Sequence, residues 1–219
     1  MKIDDSTIKI LKNFSTINQS LLFRVGNTLR TVSKTKSTFA IAKVKEYFPI
    51  EFGIYDLPRF IGVISLFNSS ELTFQDKYCT IGTETNHVKY TYASIDTFTV
   101  APKEDLKLKE TVISFELKEK ALADILKALS VLQLTELAVV GDGDNIILKG
   151  VNLSNPSGDT YNLVLGKTLV KCNILYSADK LKFLSSDYTV NISQNGIAHL
   201  YKPDLDYFIS CEDRSTLVS

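Results

Sequence analysis

The order of apolar and polar positions along the chain separates two helical stretches from a larger number of extended ones. Over residues 8–18, Ile10, Leu11, Phe14 and Ile17 fall on one side of a helical wheel, and Lys9, Lys12, Asn13 and Thr16 fall on the other. Over residues 120–132, Leu122, Ile125, Leu126, Leu129 and Leu132 make the apolar side, with Lys120, Ala123, Asp124, Lys127 and Ala128 opposite. Alternating or β-branched runs predict strands at 21–25, 28–32, 39–44, 51–55, 71–74, 78–82 and 87–92 in the first half. In the second half they predict strands at 111–117, 137–140, 146–153, 161–165, 170–175, 188–193, 197–201 and 207–211. Hairpin turns are expected at Gly26-Asn27, at 141–144 (GDGD) and at Asn195-Gly196.

The two helical stretches are copies of one another. ILKNFSTINQSLLFRVG at 10–26 and ILKALSVLQLTELAVVG at 125–141 align without gaps, with seven identities in 17 positions. Such self-similarity organises a fold and has to be read first. A second pair, IYDLPRFIGV at 54–63 and LYSADKLKFL at 175–184, predicts a second, shorter helix in each half. Asp56 and Ser177 stand at the N-cap positions, and Pro58 sits in a first turn that tolerates its missing N–H. The chain is therefore expected to be α+β: a tandem repeat of two domains, each with two helices packed on antiparallel sheets. The boundaries expected are 1–100, a charged connector over 101–110 (APKEDLKLKE), and 111–219.

Composition adds few constraints. With 25 Lys+Arg against 25 Asp+Glu, the formal charge of the 219 residues is zero, so the overall basic charge of a typical nucleic-acid-binding domain is missing. The N-terminal stretch has no signal-like apolar core, and the apolar runs are far shorter than the ~20 residues that span a bilayer, so no membrane association is expected. Cys79, Cys172 and Cys211 are odd in number and far apart, as in a reducing compartment.

Catalytic chemistry finds no support. His87 and His199 each lie in a predicted strand, and no Cys/His spacing suits zinc. No glycine-rich phosphate loop or Gly-x-Ser-x-Gly elbow occurs. Counting from Asp142, position 12 of the calcium-like GDGDN run is Leu153 instead of a bidentate Glu. The protein is expected to be no enzyme and to need no cofactor or metal. What remains is the polar face of the repeated helix, where Lys12 and Lys127 hold the same repeat position. Either helix alone reads as a solvated face. Duplicated, the two can line one surface with lysines that follow phosphates without reading bases.

Three segments then carry a family signal: ILKNFSTIN near the start, IYDLPRFIGVISL at 54–66 and DYFISCED at 206–213. They resemble the T-even-type bacteriophage DNA polymerase sliding clamp, in register over essentially the whole chain. The two-domain repeat is similar, more distantly, to proliferating cell nuclear antigen and archaeal clamps. The resemblance implies a homotrimer closed head to tail into a six-domain ring around non-specific duplex DNA, acting as a processivity factor for the DNA polymerase. It also implies a clamp-loader ATPase, late-transcription factors as partners, and residence in the cytoplasm of the infected bacterial host. Carried over by position, Lys9, Lys12, Arg59, Lys120, Lys127 and Lys182 would face DNA. A partner-peptide pocket would be walled by Phe39, Ile41, Leu106, Leu108, Phe208 and Ser210. The subunit interface would pair a strand bearing Val88, Tyr90 and Tyr92 with one bearing Tyr161, Leu163 and Leu165. Asp124 stands where the first repeat has Lys9, and the connector carries Lys103, Lys107 and Lys109. The alternative from another class is a tandem-domain protein-binding scaffold without DNA encirclement.

Overall fold

The computed structural model describes residues 1–67 and 70–216. The chain divides into two compact units, Met1–Asp105 and Leu106–Ser219.

The first unit runs α1 (Asp5–Ile17), β1 (Leu21–Phe23), β2 (Gly26–Val32), β3 (Thr38–Phe48), β4 (Phe52–Ile54), α2 (Leu57–Ile64), β5 (Glu71–Phe74), β6 (Tyr78–Gly82) and β7 (His87–Thr91). All pairings are antiparallel: β1 with β4, β2 with β3, and β5 with β6 with β7. Thr7, Leu11, Phe14 and Ile17 form the buried stripe of α1. They recur every three or four residues, as a helix lying on a sheet requires. Leu57, Phe60, Ile61 and Ile64 do the same for α2. An aromatic cluster fills the space beside them. Phe23 stacks on Phe52 at 4.6 Å, Phe52 on Tyr92 at 4.8 Å, and Phe60 meets Tyr90 edge-on at 5.1 Å.

The start of α1 is secured twice. The Asp4 carboxylate caps it by accepting from the Ser6 N–H at 2.8 Å. Glu46, a buried acid of β3, accepts from the Asp4 N–H at 2.5 Å and from the Thr7 hydroxyl at 2.6 Å. A carboxylate at this end satisfies orphan N–H groups and meets the positive end of the helix dipole. Lys45, followed by Ser6, holds the Asp4 carboxyl below the usual carboxylate range.

The second unit runs β8 (Thr111–Leu117), α3 (Glu119–Val131), β9 (Glu136–Asp142), β10 (Asn145–Val151), β11 (Tyr161–Lys167), β12 (Lys171–Ser177), β13 (Tyr188–Ser193), β14 (Ala198–Lys202) and β15 (Leu205–Ile209). One antiparallel sheet has the order β11-β10-β9-β12; β15, β14, β13 and β8 follow one another in another. Leu122, Ile125 and Leu129 are the buried stripe of α3, which lies against β10 and β11. Its N-cap residue, Lys118, makes no side-chain cap. Asp187 supplies one from a distant loop, accepting from the Glu119 N–H at 2.8 Å and pairing with Lys118 at 3.0 Å. Those contacts, the Glu119 N–H first, lower the Asp187 pKa.

Three sequence expectations are corrected. The second helix of the second repeat is a single 3-10 turn, Ala178–Lys180. The Ser177 hydroxyl bonds the Asp179 carboxylate at 2.6 Å and makes no cap. Beyond the turn, two buried tyrosines hold the backbone in place of helical bonds. The Leu184 N–H donates to Tyr207 Oη at 3.2 Å, and Tyr188 Oη donates to the Leu184 carbonyl at 2.7 Å. Gly26-Asn27 is no hairpin turn either, because β1 and β2 join different partners. Gly26, at φ 120°, is where the chain leaves one sheet for another. Tyr92 lies one residue beyond β7, stacked into the aromatic cluster. The other two turns form as expected, with Gly143 at φ 99° and Gly196 at φ 78°. In the first of them Asp142 accepts from the Asp144 and Asn145 N–H groups.

The core of the second unit holds an apolar cavity of about 40 Å³, bounded among others by Leu126, Val139, Phe183 and Leu200.

Two outcomes follow from the helix caps. Glu46→Ala orphans a half-buried N–H and a buried hydroxyl, and urea denaturation is expected to show a loss of about 2 kcal/mol. Asp187 has a lowered folded pKa, so its support for α3 is complete above its ordinary value of 3.8 and is lost as pH falls through the lower folded value. The Glu119 amide resonance should therefore titrate at acid pH, and Asp187→Asn should abolish that titration. A wild-type resonance that does not move between pH 6 and pH 2 contradicts the cap.

Candidate nucleic-acid interface

The repeated helices each turn one face inward and leave another to solvent. Lys9 and Lys12 are exposed on α1, as are Lys120 and Lys127 on α3. Among the described residues none of these four is in an ion pair. Lys12 and Lys127, matched in the repeat, are thus matched in exposure. Arg59 is exposed in the first turn of α2, where its backbone N–H donates to the Asp56 cap at 2.9 Å. Lys182 is exposed two residues past the 3-10 turn and belongs to no helix.

The strands expected at a subunit interface are both edge strands of their own sheets, β7 in the first unit and β11 in the second. Their backbone groups on one side are open to pairing. The rings of Tyr90 and Tyr92 turn toward their own unit instead: Tyr90 packs on Phe60 and donates to the Asp56 carbonyl at 3.2 Å. Val88 is half-buried on β7. On β11, Tyr161, Leu163 and Leu165 are half-buried and Val164, between them, is 60 % exposed.

The six candidate pocket residues are divided between the units. Phe39 is buried and Ile41 half-buried on β3. In the second unit Leu106 is exposed, Leu108 half-exposed, and Phe208 buried on β15 with its ring stacked on His199 at 4.3 Å. The Ser210 carbonyl accepts from Lys180 Nζ at 3.3 Å.

Sequence reasoning missed the groups that fix the residues leading into the connector. Arg24 Nη2 donates to the Ala101 carbonyl at 2.7 Å, and Arg30 Nη2 pairs with Asp105 at 2.6 Å. Arg30 sits on β2 with its side chain 14 % exposed. A half-buried arginine within a strand was the one available signal, since such groups are seldom buried without a partner.

Among the described residues no group of three or more His, Cys, Asp or Glu is placed to hold a metal ion. His87 is exposed on β7, and His199 pairs with Asp206 at 2.7 Å. Burial pushes the Cys79 thiol up to about 11, the opposite of an activated nucleophile. Among the described residues no helix is long and apolar enough to cross a membrane.

Two tandem units, each laying a long helix on antiparallel sheets and showing lysines on its outer side, define the DNA-clamp class of fold. Comparison with solved structures agrees. The chain aligns with the PCNA2–PCNA3 complex of Sulfolobus tokodaii at TM-score 0.68 and 16 % identity, over 96 % of this chain and 98 % of that one. Residues 3–101 match the DNA polymerase processivity factor family. The sliding clamp of Vibrio phage KVP40 is 29 % identical over 219 residues, 97 % of this chain and 99 % of its own. That of Enterobacteria phage T4 is 28 % identical over 170 residues, 76 % and 75 % of the two chains. The chain is thus similar to the T4-type phage sliding clamps, and its first unit matches the DNA polymerase processivity factor family.

Proposed function

We propose that three copies of the chain close head to tail into a ring around duplex DNA and tether the replicative polymerase to its template. The observation that supports this reading most is the repeat itself: Lys12 and Lys127 occupy equivalent, exposed positions on two helices whose opposite faces are buried. Lys9, Lys120 and Arg59 extend that surface, and Lys182 adds a charge from an irregular segment. A head-to-tail interface closes only if its rotation divides the circle. The free edges of β7, near Val88 and Tyr90, and of β11, at Tyr161, Leu163 and Leu165, offer that interface. A ring tethers by topology, so its phosphate contacts can be weak, and weak contacts permit sliding.

The remaining assignments complete the reading. Phe39, Ile41, Leu106, Leu108, Phe208 and Ser210 take the C-terminal peptide of a partner, the polymerase first. A clamp-loader ATPase opens and closes the ring, and late-transcription factors use the loaded ring as a mobile platform. All of this takes place in the cytoplasm of the infected bacterial host, and the clamp itself catalyses nothing.

Sedimentation equilibrium should give a species of three times the 24.5 kDa chain mass. With polymerase and loader, the clamp should lengthen products on a primed circular template, and cutting the circle should release it. A strict monomer at tens of micromolar, unchanged by primed DNA and loader, sinks the ring. A trimer that lengthens no product and is not retained on circular DNA points instead to a protein-binding scaffold.

A further inference from the structure

The internal repeat allows a comparison that a single helix could not. At an offset of 115, four positions on the outer side of α1 correspond to four on α3: Lys9 to Asp124, Lys12 to Lys127, Asn13 to Ala128, and Thr16 to Val131. All four side chains of α1 carry hydrogen-bond donors, although the Thr16 hydroxyl already donates to the Asn13 carbonyl at 2.7 Å. Of the four on α3, Lys127 alone does. Exposure does not account for the difference. Lys9, Lys12 and Thr16 are exposed on α1, as Asp124, Lys127 and Val131 are on α3, and Asn13 and Ala128 are half-buried. Val131 is 70 % exposed, at the place where the first repeat shows a threonine.

The order of charges sharpens the contrast. On α3, Asp124 stands four residues after Lys120 and three before Lys127, within reach of both across one helical surface. A phosphate approaching either lysine also approaches that carboxylate. On α1 the acid is Asp5, which holds the repeat position of Lys120 and stands four residues before Lys9, so each face carries two lysines and one acid; Asp5 lies at the first turn, next to the positive end of the helix dipole. Lys9 and Lys12 beyond it are neighbours of like sign with no acid between them. The units as wholes follow the same trend. Residues 1–105 hold 13 Lys+Arg and 11 Asp+Glu, and residues 106–219 hold 12 and 14.

We propose that each protomer grips the duplex backbone through α1, at Lys9 and Lys12, while α3 presents a weakly binding surface in which Asp124, placed between Lys120 and Lys127, cancels much of their pull. The ligand is the sugar–phosphate backbone of double-stranded DNA, contacted without reading bases. The inference rests on the encirclement reading and adds to it that the two copies of the helix have diverged in role. Within that reading, grip and slip are properties of different units. Asp124 is then a residue that sets sliding friction: it is kept where a lysine would bind more tightly.

The test measures affinity of the intact clamp for a short linear duplex as a function of salt, in four forms: wild type, Lys9→Ala with Lys12→Ala, Lys120→Ala with Lys127→Ala, and Asp124→Asn. Each lost phosphate contact lowers the salt slope by about 0.9, so the fall in affinity between 50 and 200 mM salt becomes about 3.5-fold smaller per contact. The α1 pair should lose slope and affinity, and the α3 pair should lose little of either. Asp124→Asn should bind more tightly than wild type, a gain that misfolding does not produce. The solution mass of each variant checks that its assembly is intact. Equal losses from the two pairs, or no gain from Asp124→Asn, overturn the division of roles. If the wild type is retained on circular DNA after loading, that failure leaves encirclement standing. If the wild type is not retained, encirclement itself fails and the inference with it.

Discussion

The constraint on which the rest depends is the two-sidedness of one long helix per unit. Thr7, Leu11, Phe14 and Ile17 on α1, and Leu122, Ile125 and Leu129 on α3, must leave water together, and a helix buries such a stripe only against another element. Antiparallel strands provide the surface. Burying three or four large side chains is worth several kcal/mol per helix, which fixes the orientation of each helix about its axis. The opposite face is then presented to solvent at a set angle, whatever residues it carries. Its lysines are in place because the buried face is.

The ends of these helices show how the two copies were stabilised by different means. In the first unit a buried acid on β3, Glu46, holds the start of α1. In the second, an exposed acid from a loop, Asp187, performs the same task for α3. Neither acid lies within the repeated segment, so the repeat alone could not reveal either. The larger divergence is the second helix. Where α2 buries Leu57, Phe60, Ile61 and Ile64, the second unit has one 3-10 turn, two tyrosine-held backbone groups and a small apolar void. An aromatic and an N-cap residue were present in both copies, but Tyr188 and Tyr207 offered the backbone partners that a helix would otherwise supply.

Most strands and the three longer helices were legible because they repeat on a local period of two or of about 3.6 residues. The edges β7 and β11 were legible as strands, though that they are edges follows from pairing partners far away in sequence. What could not be read locally was what nonlocal contacts decide. Gly26 has the sequence of a turn, but β1 and β2 go to different partners. Tyr92 continues the alternation of β7 but is drawn into the cluster by Phe52. Lys182 has the spacing of a helical lysine without a helix to sit on. Of the charged candidates, the exposed lysines of α1 and α3 were legible because exposure opposite an apolar stripe needs no knowledge of the partner.

The zero net charge of the chain gains meaning from this geometry. A protein that bound DNA by affinity would need an excess of basic residues over its whole surface, and its grip would weaken steeply with salt. A protein held by closure needs only enough positive charge on one face to keep the duplex from repelling it, with acids elsewhere maintaining solubility. Neutrality overall, with lysines placed on the solvent side of two structurally fixed helices, satisfies both demands. The exchange of Lys9 for Asp124 between the copies fits the same balance. Asp5 and Lys120 exchange in the opposite sense, so each outer face carries two lysines and one acid, and what differs is whether the acid lies in the first turn or between the lysines.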